Sequence, residues 1–107
     1  MQKRIYLLST FLPFLGFLFA TPALSAEADL AKAEKVYKRS CATCHGKQGE
    51  KPAMGESKII NQLKPEEIST ALSERKAGNI TGAGSPAKQR LSEQDIHNLS
   101  EYIQTLK

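Results

Sequence analysis

The sequence predicts an all-α fold, and three observations predict it. After residue 26 the apolar residues recur at helical spacing in three stretches. Those stretches begin or end on residues that favour helix termini. Between them lie two irregular glycine-bearing segments, and no run alternates convincingly enough to make a strand.

The chain of 107 residues holds one domain at most. Residues 1–26 are expected to be a secretory signal peptide and residues 27–107 the functional domain. The start is basic ("MQKR"), Ile5 to Ala20 are almost all apolar, and small residues ("TPALSA") precede a charged sequence from Glu27. Cleavage is expected near Ala26. A retained anchor is the alternative, but the apolar stretch is interrupted by Pro13 and Gly16. It also falls short of the roughly twenty residues a spanning helix needs, so no membrane span is expected in the mature chain. The implied location is the periplasm. Lys3 and Arg4 belong to the leader, which leaves 13 basic and 11 acidic residues and a net charge of +2. That balance gives no support to nucleic-acid binding. The remaining 81 residues bury a modest core, and domains of that size usually need a disulfide, a metal or a cofactor.

The first helix is expected from about Asp29 to residue 41, with Leu30, Ala33, Val36 and Tyr37 on one buried face. The second starts at Pro65, favoured in a first helical turn, and carries Glu66 and Glu67 beside the positive end of the helix dipole. It turns Ile68, Ala71 and Leu72 inward and stops near Gly78. The third starts at Ser92, an N-cap with Asp95 in a capping-box arrangement. Ile96, Leu99, Ile103 and Leu106 form its apolar stripe, with Tyr102 at the edge. The intervening segments are "GKQGEKPAMGESK" and "GNITGAGSP". The second lacks a G-K-[ST] ending and follows no strand, which excludes a phosphate loop.

Residues 41–46 read "CATCHG" and contain the only two cysteines of the chain. Export raises the possibility of a disulfide, but a Cys41–Cys44 bridge closes a very small loop and holds little together. A thioredoxin-like redox site needs strands alternating with helices. A closed zinc site needs four ligands, and the motif supplies three. Haem attachment through C-x-x-C-H uses all three residues: Cys41 and Cys44 form thioethers with the two vinyl groups, and His45 binds the iron. One covalent haem c per chain also supplies the apolar surface that a small core lacks.

With "VYKRSCATCHG", "PAMG" and "LSEQDIHNLSEYIQTL" in place, the chain resembles the small bacterial monohaem class I c-type cytochromes over essentially all of residues 27–107. The resemblance implies three main helices around one covalently attached haem c. It also implies a crossing of the first and last helices, with Ala33 where the family usually has glycine and Tyr102 as the aromatic partner. The implied role is a one-electron carrier between periplasmic or membrane-bound redox proteins, not an enzyme. Nothing in the sequence pairs a nucleophile with a base, and the distal acid–base groups of a haem peroxidase are missing.

The family normally supplies a methionine to the second face of the iron from the loop before the last helix. Here that loop is "ITGAGSPAKQR", and the methionine position falls at about Gly84. The expectation is an open sixth position. Met54 reads as core packing against the ring and His97 as an exposed residue of the last helix. Lys88 and Asn79 read as surface residues flanking the loop, which reach the iron only if the loop folds inward, an arrangement that would bring Lys88 or Met54 into contact. An open position would suit a second function, binding or sensing of a diatomic gas such as nitric oxide or carbon monoxide. Lys38, Arg39, Lys47, Lys51, Lys58 and Lys64 lie near the motif in sequence. They form either a rim that steers acidic redox partners or an ordinary solvated face.

Overall fold

A computed structural model describes residues 27–107, together with Pro13 and Gly16. The rest of the leader expected over residues 1–26, with its cleavage near Ala26, lies outside the described residues. Among the described residues five helices follow one another: α1 (Leu30–Ser40), α2 (Ala42–His45), α3 (Pro65–Lys76), α4 (Ser85–Gln89) and α5 (Glu93–Gln104). Two 3-10 turns, Ala53–Gly55 and Ile60–Gln62, interrupt the long connection between α2 and α3. Among the described residues there is no strand, and no helix is long and apolar enough to cross a membrane.

The three expected helices are the three long ones, and local chemistry sets their ends. Asp29 caps α1 by accepting from the Lys32 amide at 3.0 Å. Lys64 N–H donates to the Glu67 carboxylate at 2.9 Å just before α3. Past its far end Gly78 takes φ 83°, a left-handed turn that lets the chain leave the helix without strain. Ser92 and Asp95 exchange reciprocal 3.0 Å bonds at the start of α5, completing the expected capping box.

α5 packs against both α1 and α3, and α4 packs against α3. The core joins Ala33, Val36 and Tyr37 of α1 to Ile68 of α3 and Ile96, Leu99 and Ile103 of α5, with Leu91 closing it. Each fully buried aliphatic side chain contributes about 1.5–3 kcal/mol. Ala33 is 1% exposed, and Tyr102 packs beside this cluster. Its aromatic partner is Tyr37, at a centroid distance of 5.6 Å and an interplanar angle of 56°. Leu30 departs from expectation. It is the first residue of α1, beyond the part that the core covers, and it is exposed.

Polar ties hold the termini of the elements together. Asn98 on α5 is buried, and its Oδ1 accepts from Asp29 N–H at 3.0 Å and from Gln94 at 2.9 Å. Gln104 donates to the Leu63 carbonyl at 3.0 Å, and the Lys76 amine to that of Leu91. These bonds fix the approach of the long connection and of α3 to α5.

Candidate functional site

The motif forms its own short helix. After α1 ends, the His45 amide donates to the Cys41 carbonyl at 3.0 Å, closing one helical turn over residues 41–45. Gly46 then takes φ 84°. A β-carbon at this position would meet only the movable end of the exposed Glu50 side chain, so it is the left-handed backbone conformation that calls for glycine. The Tyr37 hydroxyl donates to the Gly46 carbonyl at 2.6 Å in the buried interior, and Lys51 N–H donates to the His45 carbonyl at 2.9 Å. The His45 backbone is thereby held at its amide by Cys41 and at its carbonyl by Lys51, while Tyr37 fixes the residue that follows.

Cys41, Cys44 and His45 open onto one cavity of about 640 Å³. That volume lies within the roughly 300–1,000 Å³ of ordinary ligand pockets. Its walls come from α3 (Ile68, Ala71, Leu72), from α5 (Leu99, Ile103), and from Ile60, Leu63 and Leu91. Both thiols are free; Cys41 is partly buried and Cys44 exposed. Burial pushes the Cys41 thiol up to about 11, so it is held as the neutral thiol. Burial, followed by the nearby charges of Lys88 and Arg75, lowers the His45 pKa from its ordinary value. The ring is therefore held neutral, the form that offers a lone pair to a metal. His45 Nδ1 is buried without a hydrogen-bond partner among the described residues. Buried polar atoms are rarely left so, and an imidazole on the wall of an apolar cavity is suited to a non-protein partner. Apolar walls, two free thiols and a desolvated imidazole fit a covalently held haem.

The other residues singled out in the sequence separate clearly. Met54 lines the same cavity as Cys41, Cys44 and His45: the "PAMG" turn puts it in the left-handed region (φ 57°), with its side chain 76% exposed. His97 is exposed, as expected, and lines a different, shallow depression beside Leu30 and Glu101. Asn79 is exposed and donates to Glu74 at 2.8 Å. Lys38, Arg39, Lys47, Lys51, Lys58 and Lys64 are all exposed; Lys38 pairs with Glu34, and Lys58 reaches the cavity rim.

Lys88 is not the ordinary surface residue its sequence suggests. It is partly buried and lines the cavity, where burial and then the charge of Arg75 lower its pKa. Helix α4, hidden in a segment read as irregular, causes this. Five residues are too few to show a periodicity, and Pro86 in the first turn was the one available signal. Arg75 was also missed on the cavity wall. It continues the spacing of Ile68, Ala71 and Leu72, so the face was legible, but its charge argued for solvent.

Comparison with known proteins agrees with this geometry. A family described as "Cytochrome C oxidase, cbb3-type, subunit III" matches residues 28–103. The chain is 42% identical over 83 residues to cytochrome c-553 of Helicobacter pylori (strain ATCC 700392 / 26695), covering 77% of this chain and 86% of that protein. It is 37% identical over 91 residues to cytochrome c-554(547) of Halothiobacillus neapolitanus, covering 74% of this chain and 98% of the relative. With an all-helical fold, a C-x-x-C-H turn on an apolar cavity and these relatives, the chain belongs to the small bacterial c-type cytochromes, whose cofactor is covalently attached haem c.

Proposed function

We propose that the protein is a periplasmic one-electron carrier in which Cys41 and Cys44 hold haem c and His45 is the axial iron ligand. The observation that carries this reading is the opening of all three side chains onto the same apolar cavity. Haem c, when bound, supplies a one-electron ferric/ferrous couple. Cys41 and Cys44 would hold it through thioethers to its two vinyl groups, an addition of S–H across each double bond that would need no oxidant. The neutral His45 ring donates its lone pair, and the Tyr37–Gly46 bond keeps the turn behind it in place. The aliphatic walls from α3 and α5 exclude water from the ring.

The relatives' names, cytochrome c-553 and c-554(547), support a carrier in preference to a gas-binding protein. Periplasmic location follows from the leader-like residues 1–26, and thioether formation suits that compartment. Exposed lysines at positions 47, 51, 58 and 64 offer a surface for acidic redox partners.

The test is covalent retention. The purified protein should keep one haem per chain through denaturation and acidic solvent extraction. Replacing both Cys41 and Cys44 with alanine should abolish this. A stable double variant that still retains haem under denaturing conditions would overturn the reading.

A further inference from the structure

Helix α4 places one further donor in the haem cavity. Lys88 N–H bonds back to the Gly84 carbonyl at 3.3 Å, one helical turn earlier. Residues four apart share a helix face, and side chains lean towards the helix N-terminus. Lys88 accordingly folds back over Gly84, where its Nζ lies 2.7 Å from the site a β-carbon on residue 84 would occupy. Glycine leaves that space free, and the lysine amine fills it.

Among the described residues no carboxylate or carbonyl claims this amine. The ion pairs among the described residues are Lys32–Asp95 and Lys38–Glu34, and Lys88 takes part in neither. Nor does its side chain hydrogen-bond to any described residue. Competing donors are placed worse: Met54 and Lys58 stand exposed at the rim, and His97 and Asn79 lie outside the cavity lining.

We propose that the Lys88 amine is the second axial ligand of the haem iron. This rests on the reading of Cys41, Cys44 and His45 as the haem site. Ligation uses the neutral amine: the ammonium proton leaves to solvent, and the nitrogen lone pair forms the dative bond.

The experiment compares the holoprotein with Lys88→Ala, Lys88→Arg and Met54→Leu variants by absorption and electron paramagnetic resonance spectroscopy, with and without carbon monoxide. Arginine keeps the charge and bulk but cannot shed its proton, so it reports on ligation separately from folding. The wild type and Met54→Leu should be low-spin with two nitrogen ligands. Both Lys88 variants should become high-spin and bind carbon monoxide about tenfold or more tightly, because the competent open form is no longer a minor population. A wild type that is high-spin, Lys88 variants that keep the wild-type spectrum, or loss of the low-spin form in Met54→Leu would each overturn the proposal. Denatured samples report haem attachment independently, so failure of the haem-site reading shows as free haem, not as an unchanged spin state.

Discussion

The Tyr37 hydroxyl and the Gly46 carbonyl meet at 2.6 Å inside the protein, joining α1 to the turn that follows His45. Tyr37 is fully buried, and burial pushes its phenol up to about 12, so it remains a donor throughout the physiological range. Tyr37→Phe keeps the ring and its packing on Tyr102 but leaves the buried carbonyl unpaired. The expected cost is about 1–3 kcal/mol in denaturant unfolding of the holoprotein. A change within error would show that the bond is dispensable.

His45 and His97 separate the ligand from the bystander. His45→Ala should alter the visible spectrum strongly, while His97→Ala should leave it and the stability within about 0.5 kcal/mol of wild type, as expected at an exposed site. Equal spectral effects would mean that α5 approaches the iron.

Gly84 tests the space that Lys88 occupies. A methyl group at 84 meets only the end of a flexible side chain. Gly84→Ala should therefore cost under about 1 kcal/mol in stability while displacing Lys88 and shifting the spectrum. Gly84→Met should go further, giving a sulphur-ligated, low-spin form with a raised potential. A Gly84→Ala protein with the wild-type spectrum would show that Lys88 and residue 84 do not compete.

The capping box at α5 predicts an acid-side effect. Asp95 has its pKa lowered from 3.8, first by the Ser92 backbone amide and further by the Ser92 hydroxyl and Lys32. A depressed folded pKa means the stabilisation is complete above the unfolded value and is lost as pH falls through the folded one. Asp95→Asn should flatten the pH dependence of unfolding below about pH 4, whereas Ser92→Ala should cost about 0.5–2 kcal/mol at neutral pH. Urea titrations at several pH values check both.

What the sequence determined by itself is what depends on neighbours a few residues away. C-x-x-C-H is local: one helical turn brings Cys41 and His45 together whatever the rest of the chain does. The Ser92–Asp95 box, Pro65 at the start of α3 and the stripe of Ile96, Leu99 and Ile103 are set by i, i+3 and i+4 relations, and the structure repeats them. The stripe says only that α5 needs an apolar partner; that α1 is one of them was implied by the family resemblance, and α5 packs on both α1 and α3.

Only the tertiary structure decided which donors face the cavity. Leu30 and Met54 are apolar yet exposed, because the packing of α5 against α1 leaves the first turn of α1 uncovered and the "PAMG" turn carries Met54 to the rim. Lys88 and Arg75 are charged yet line the cavity, because α4 and α3 aim them there. Hydropathy assigns each of these four to the opposite side. Burial is a property of the space between elements, and a side chain's polarity cannot report on a space formed by residues far away in the chain.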